Sequence, residues 1–199
     1  MKKRVILFSV IALEVFFAIG SARAQQSLRT GAGVTAVKLS PTFTGALSSL
    51  NVELETEPPV ISKLKSGVVE FPIVGGVLDL ATAKGQIIHT GGLELKAGST
   101  VVTLSDFIID TSDPAQSRLT GIVTADGSYL GRITLFNLGL PAVSLPLQPI
   151  ANLAIYLPGV NVTLSSEAAA DLNKVFQVHA FAVGIPIGTA TVISLTSRL

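Results

Sequence analysis

The sequence predicts an all-β fold, an antiparallel β-sandwich or a barrel-like domain, with one short helix near the C-terminus. Apolar and polar residues alternate with a period of two in several segments, which is typical of half-buried strands. Turn-forming Gly, Pro and Asp residues separate these segments at intervals of about ten residues, as in sandwiches and barrels. Only residues 165–176 have the composition of a helix.

The first 24 residues have the features of a secretory signal peptide. Residues 2–4 are basic, residues 5–19 are mostly apolar, and residues 22–24 read Ala-Arg-Ala, which is an A-x-A cleavage signal. The apolar stretch is short for an uncleaved membrane helix, and Glu14 interrupts it. We therefore expect cleavage after Ala24, no membrane span in the mature chain, and a periplasmic, cell-surface or extracellular location.

Two segments follow the predicted signal peptide. Residues 25–45 are rich in Gly, Ser and Thr and carry few large side chains, so we expect a flexible N-terminal segment there. Residues 46–199 are expected to form a single β-rich domain. The length of 199 residues and the 48% share of hydrophobic residues fit one domain with its own core.

Side-chain parity predicts the strands of the first half. Residues 67–73 alternate, and the glycines at 75–76 end this strand. Residues 77–80 form a short strand, and residues 81–85 have the composition of a hairpin connection into residues 86–96. In that last segment one face carries Ile87, His89, Leu93 and Leu95.

The second half of the chain continues the alternation of apolar and polar residues, and it also contains a long segment without charged residues. Residues 100–110 predict a strand, and residues 119–124 and 129–138 predict a hairpin through the turn at Asp126-Gly127. Residues 133–166 carry no charge, and four prolines break them into pieces too short for a membrane helix. We expect these residues to form core strand and apolar loop.

One helix and one last strand follow. Ser165 and Ser166 are helix-capping residues, Glu167 comes early, an alanine run follows, and Lys174 comes late, which together predict a helix over residues 165–176. Residues 188–197 alternate again and are expected to close the sheet.

Composition excludes several classes of site. The absence of Cys excludes disulfides, thiolate metal sites and a thiol nucleophile, and two histidines, His89 and His179, are too few for a multi-histidine metal centre. The balance of 14 Lys and Arg against 13 Asp and Glu, without a basic run after residue 4, argues against nucleic-acid binding. Hydrolase, phosphate-loop and zinc-protease motifs are absent from the sequence. We predict neither catalytic residues nor a metal site.

His89 is the candidate ligand-binding residue. If residues 86–96 form one strand, its imidazole lies on the apolar face and needs either a hydrogen-bond partner or a ligand. A core histidine that is satisfied by the protein itself is one alternative. In the other, Gly91 and Gly92 form a bulge that turns His89 to the surface.

One stretch of the chain resembles a known family. Residues 71–95 read FPIVGGVLDLATAKGQIIHTGGLEL, which is a Phe-bearing strand, a strand with Gly and Asp, a turn with Thr and Gly, and a Gly-Gly strand. Together with residues 162–170 and Phe176, this pattern resembles the HtaA-type domain of bacterial haem-uptake surface proteins. The resemblance extends over residues 67–197 and implies an all-β scaffold at the cell surface.

The residues that bind haem in that family are not matched here. Its haem-binding members use a Tyr early in the domain and a His in a Gly-His-x-Gly stretch after the Gly-Gly strand. In this chain the corresponding residues 97–99 are Ala-Gly-Ser, and no Tyr precedes Tyr129. The resemblance therefore implies the scaffold more strongly than the ligand.

These observations favour an exported, non-catalytic β-rich domain that binds a small ligand or a surface protein. The first alternative is haem binding with His89 as an axial ligand. The second is a small outer-membrane β-barrel, prompted by the charge-poor second half; the absence of Trp and the presence of only two Tyr argue against it, because such barrels carry aromatic girdles. No cofactor is expected apart from haem in the first alternative, and no nucleic-acid partner.

Overall fold

Eleven strands and two helices are formed by the residues that the structure describes, which are 27–63, 66–151 and 153–198 of this computed structural model. The strands are β1 (Ser27–Leu39), β2 (Glu53–Glu57), β3 (Ile61–Lys63), β4 (Val68–Asp79), β5 (Gly85–His89), β6 (Gly92–Ala97), β7 (Thr100–Asp110), β8 (Arg118–Ala125), β9 (Ser128–Gly139), β10 (Ala154–Leu164) and β11 (Pro186–Arg198). The helices are α1 (Pro41–Ser49) and α2 (Ser166–Phe176), and one turn of 3-10 helix lies at Pro114–Gln116.

Eight of the strands close into an antiparallel barrel. Their order around the wall is β7-β5-β4-β1-β11-β10-β9-β8, and β8 returns to pair with β7. β1 lies between β4 and β11, so the first and last strands of the described chain are neighbours. Of the two architectures that the sequence left open, sandwich and barrel, the structure has the barrel.

The remaining three strands extend the wall. The first half of β7 pairs with β6 and its last residues pair with β5, so β6 diverges from the barrel and carries β2 on its outer edge. An ion pair between Lys96 on β6 and Glu55 on β2, 2.8 Å long, joins these two strands. β3 pairs with the start of β4.

Strand alternation fills the barrel interior with apolar side chains. In β4, Val69, Phe71 and Ile73 are buried, and the residues between them lie on the outer face. The Phe71 ring meets the Phe107 ring edge to face, with the ring centroids 5.2 Å apart. A second, smaller cluster packs strands β1, β4 and β10 against the loop that follows β9; its members are Leu28, Leu78, Leu80, Leu147 and Ile155.

Helix α2 occupies the segment in which the sequence predicts a helix. Ser165 Oγ accepts a hydrogen bond from the Ala168 N–H (3.0 Å) and donates one to the Thr134 carbonyl (2.6 Å). Glu167 in the first turn accepts a hydrogen bond from the Thr134 N–H at 2.8 Å, so the helix start is fastened to β9. Leu172 is buried on the face that packs against the barrel.

Helix α1 is a correction to the expectation of one helix. Ser40 caps it by accepting a hydrogen bond from the Phe43 N–H at 3.0 Å, and Phe43 and Leu47 are buried against the barrel. The sequence does not predict this helix because its Gly, Ser and Thr residues have low helix propensity, and its burial comes from tertiary packing. None of the helices in the described part of the chain is both long enough and apolar enough to cross a membrane.

The N-terminal segment is a second correction. Residues 27–45, for which the sequence predicts a flexible segment, form β1 and the start of α1. β1 has small side chains, but two full strand pairings hold it in the barrel wall. The predicted signal peptide, residues 1–24, lies outside the described residues.

Candidate functional site

His89 is the last residue of β5, and its side chain lies inside the barrel. β5 pairs with β4 on one side, where His89 lies opposite Ile73, and with β7 on the other, where Ile87 lies opposite Ile109. Ile87 and His89 have the same parity and are both 3% exposed. The bulge that would turn His89 to the surface is therefore not observed.

The His89 imidazole has one side-chain partner. Its Nε2 lies 2.7 Å from Thr35 Oγ1 on β1, and the two atoms share a hydrogen bond. The hydroxyl donates if Nδ1 carries the ring proton and accepts if Nε2 carries it. The other ring nitrogen, Nδ1, is buried and has no side-chain partner among the described residues. The backbone groups of Phe107 and Ile87 lie close to the imidazole.

Burial controls the ionisation of this imidazole. Loss of solvation lowers the pKa of His89 to about 4, and the backbone groups of Phe107 and Ile87 oppose this shift only in part. The ring is therefore neutral at neutral pH. A neutral imidazole can donate or accept a hydrogen bond at Nδ1 but supplies no positive charge to a bound anion.

A cavity of about 100 Å³ lies beside His89 in the barrel interior. Its wall comes from strands around the barrel and from the loop after β9, and it is apolar except for Thr35, His89 and Thr111. The Thr111 hydroxyl donates to the Ala83 carbonyl at 2.7 Å, so it is already engaged. Leu140 lines the cavity and is also 37% exposed, so the cavity wall extends to the protein surface just after the end of β9.

The Thr35–His89 pair lacks the third group of a hydrolytic triad. A hydroxyl nucleophile needs an imidazole base, and that base needs an acid to orient it. Nδ1 of His89 has no such acid among the described residues, and the residues known to line the cavity include no Asp or Glu. In the described part of the chain, acidic and histidine side chains also form no group of three that could hold a metal ion.

Sequence parity located His89, Leu93 and Leu95 on one buried face, and all three are buried. The segment is not one strand, because it divides into β5 and β6 at Thr90-Gly91. Thr35, the partner of His89, was missed because it lies in the segment expected to be flexible. The inward parity that it shares with Val37 and Leu39 was the available signal. His179, the other histidine, is exposed and lies outside the cavity.

We expect the protein to lose stability as the pH falls from 6.5 towards 4. The unfolded chain protonates at His89 near pH 6.5, whereas the folded protein does so only near 4, so the unfolded state binds more protons in this window. The contribution of the neutral His89 imidazole to the free energy of unfolding is complete above pH 6.5 and falls by about 3 kcal/mol between pH 6.5 and pH 4. Urea unfolding of the native protein and of His89→Gln at pH 6.5 and at pH 4 measures this loss of stability. The variant should lose less stability on acidification, and an equal loss in both proteins would contradict a buried neutral imidazole.

The geometry around His89 does not fit a haem axial ligand. An axial histidine must present one ring nitrogen to the iron in a pocket that admits the porphyrin. Here Nε2 is engaged by Thr35, and the cavity of about 100 Å³ is far below the roughly 300–1,000 Å³ that drug-sized ligands occupy. Tyr129 and Tyr156 are 67% and 48% exposed and are not among the residues that line the cavity.

Three solved structures that share this fold come from one bacterium. The C-terminal domain of HtaA from Corynebacterium glutamicum aligns with a TM-score of 0.64 and 14% identity, over 85% of this chain and 99% of that one. The heme binding protein HtaB from the same organism aligns with a TM-score of 0.54 and 9% identity, over 87% of this chain and 97% of that one. A domain-swapped dimer of a variant of the HtaA domain aligns with a TM-score of 0.52 and 16% identity, over 79% and 87% of the two chains.

Sequence comparison adds nothing to this structural similarity, since no protein-family model and no curated protein matches the chain. The resemblance predicted from residues 71–95 and 162–170 is confirmed at the level of the fold, because these three structures are of HtaA domains and HtaB. This chain has the fold of an HtaA-type domain.

Proposed function

We propose that this chain is an exported, non-catalytic binding domain that holds a small, predominantly apolar ligand inside its barrel, beside His89. The observation that carries the proposal is the apolar cavity of about 100 Å³ in the barrel interior, whose wall includes the buried residue His89. Eight-stranded barrels are wide enough either to be filled by side chains or to hold one small ligand.

The size and the lining of the cavity indicate what it can bind. An apolar cavity of roughly 150 Å³ in an engineered protein stays dry and takes up benzene or xenon. A cavity of about 100 Å³ is in the same range and favours a single ring or a short chain. Binding would remove the apolar surface of the ligand from water and give the atoms of the dry cavity wall packing partners, and these are the main sources of affinity for such ligands.

Location and fold are consistent with this role. The basic residues 2–4, the apolar residues 5–19 and the Ala-Arg-Ala at 22–24 support export to the periplasm, the cell surface or the medium. HtaB, which shares the fold, is a heme binding protein, and this supports a binding role for the scaffold. In this chain the ligand that fits beside His89 is much smaller than haem.

Benzene is the probe that tests the proposal. We expect benzene to bind the purified mature chain and to shift the NMR signals of cavity methyl groups such as those of Ile87, Val160 and Val162. The methyl groups of Leu195, which is 52% exposed, should not move. Absence of binding, or shifts confined to exposed side chains, would overturn the proposal.

Two alanines of the barrel provide a matched pair of variants. Ala190 is 4% exposed and lines the cavity, so Ala190→Leu fills part of the space and should abolish benzene binding. Ala32 is exposed on β1, so Ala32→Leu adds the same atoms outside the barrel and should bind benzene as the native protein does. If Ala190→Leu does not fold, the methyl shifts of the native protein decide the question. In a parallel hemin titration, a Soret shift that depends on His89 would also count against the proposal.

A further inference from the structure

We propose that one side of the barrel wall docks on the surface of an anionic lipid bilayer, with its exposed apolar side chains in the boundary between headgroups and acyl chains. This inference concerns the outside of the barrel, whereas the proposed function concerns its interior. Two observations carry it, which are a continuous apolar patch on the wall and the distribution of charge around that patch.

The apolar patch lies on the outer face of β10 and β11 and on the turn before β10. Ile155 and Ser194 are buried, so strand alternation places their neighbours on the outer face. In the turn, the Leu153 N–H donates a hydrogen bond to the Ile150 carbonyl at 3.0 Å. The members of the patch are between 42% and 63% exposed; they are Ile150, Leu153, Tyr156, Ile193 and Leu195.

Strand pairing makes the patch continuous. Tyr156 lies opposite Ile193 in the antiparallel pair of β10 and β11, and side chains that face each other in this way are in contact range. The Leu153 carbonyl accepts a hydrogen bond from the Thr196 N–H at 2.8 Å, which places the turn beside Leu195. A continuous exposed patch of large apolar side chains is typical of a site that contacts a protein or a membrane.

The charge around the patch favours an anionic partner. The strands β1, β10 and β11, which we call the basic face, carry Arg29, Lys38 and Arg198 and no Asp or Glu. The loop over residues 140–153 carries no charge. Arg29 is exposed and lies opposite Ser197, so this cation borders the apolar patch on the same outer face.

Acidic residues lie on other strands. On β4, Glu70 lies opposite Ala36, towards the end of β1 that is remote from Arg29. At least three strands separate β2 and β6 from the basic face on either path around the wall. Those two strands carry one lysine and four glutamates, which are Glu53, Glu55, Glu57 and Glu94.

An anionic bilayer fits this combination better than a second copy of the chain does. A symmetric dimer would place the basic face against itself, so that cations would meet cations without an acid between them. A bilayer supplies both an apolar phase and negative charge at its surface. Tyr156 suits the headgroup level, because its ring is apolar and its hydroxyl is polar.

Vesicle flotation of the mature chain tests the inference. We expect binding to vesicles of phosphatidylcholine with an equal part of phosphatidylglycerol, and weaker binding to phosphatidylcholine alone or at high salt. Leu153→Asp should weaken binding about tenfold or more, because it puts a carboxylate in the apolar boundary. Val183→Asp is the control and should bind as the native protein does. Val183 also lies in a turn and is 62% exposed, against 63% for Leu153, but it lies outside the patch.

A second pair of variants tests the role of charge. Arg29→Gln should weaken binding to the anionic vesicles about fivefold and leave binding to phosphatidylcholine unchanged. Lys174→Gln removes one positive charge from an exposed position on α2, outside the basic face, and should change neither. Equal effects of these two substitutions, or equal affinity of the native protein for both kinds of vesicle, would overturn the inference.

Spin-labelled lipid gives a readout on the native protein that does not depend on any variant. A spin label at the headgroup should broaden the NMR signals of the Ile193 and Leu195 methyl groups and leave those of Val183 sharp. Equal broadening of all three, or no binding to the anionic vesicles, would overturn the inference. A dimer that forms without lipid and dissociates in Leu153→Asp would assign the patch to a second copy instead. Benzene uptake into the cavity remains a separate test of the proposed function.

Discussion

Replacing Gly33 by alanine is expected to lower the free energy of unfolding by about 3 kcal/mol or more. Gly33 lies in β1 opposite Ser194 of β11, where a Cβ atom would come within 2.2 Å of the Ile193 carbonyl oxygen and 2.9 Å of the Ser194 Cα. Both contacts are with backbone atoms of a paired strand, so neither can be relieved by turning a side chain. The φ angle of +142° adds strain for any residue with a Cβ.

Gly31 is the matched control, two residues earlier in the same strand. A Cβ there would meet no heavy atom within 4 Å, and the residue lies where the register of β1 and β11 shifts. Gly31→Ala should therefore change the free energy of unfolding by less than about 0.5 kcal/mol. Urea unfolding of the three proteins measures both effects, and equal losses in the two variants would refute the close pairing of β1 with β11.

Strands whose alternation is carried by large apolar residues could be predicted from the sequence. The sequence predicts β7 with its observed bounds, because large apolar residues occupy alternate positions on each side of an irregularity at Asp106: Val102 and Leu104 before it, Phe107 and Ile109 after it. The sequence also predicts the hairpin between β8 and β9, because an Asp-Gly pair favours a tight two-residue turn. In the structure Asp126 and Gly127 both adopt the positive φ angles that such a turn requires. In these cases the signal is local, and tertiary structure only reinforces it.

β1 could not be predicted in this way because its stability comes from partners far away in the chain. Its inward residues include Thr30 and Thr35, which weaken the apolar alternation, and its neighbours β4 and β11 lie about 40 and 160 residues later. The short strand expected at residues 77–80 is in fact the second part of β4, which continues past the paired glycines through a register shift between Ile73 and Gly75.

In the candidate site, too, features with a local sequence signal could be predicted, whereas features that depend on distant residues could not. The inward direction of His89 follows from the parity of β5 and could be predicted. Its hydrogen bond to Thr35 could not be predicted, because it joins residues 54 positions apart and depends on β4 lying between their strands. The cavity is a property of how all eight strands fill their interior, and no local pattern reports a volume.

Truncation of Phe107 to alanine is expected to cost about 3–5 kcal/mol of stability, because it removes a large buried side chain and leaves a cavity. Phe107 is 3% exposed, its ring packs edge to face on Phe71, and it lines the space beside His89. Tyr129→Ala is the control, since that ring is 67% exposed on the β8–β9 hairpin and should contribute less than about 0.5 kcal/mol. Urea unfolding of the native protein and of both variants measures the two losses of stability.

The Phe107→Ala variant also connects stability with binding. Removing the ring enlarges the cavity of about 100 Å³, so a two-ring hydrocarbon that the native barrel excludes should fit in the variant. A ligand that binds only the folded state raises its stability in proportion to the logarithm of ligand concentration over Kd. Naphthalene should therefore raise the Tm of Phe107→Ala and leave that of the native protein unchanged. Equal Tm shifts in both proteins would mean that naphthalene binds elsewhere, because only the variant has gained interior space.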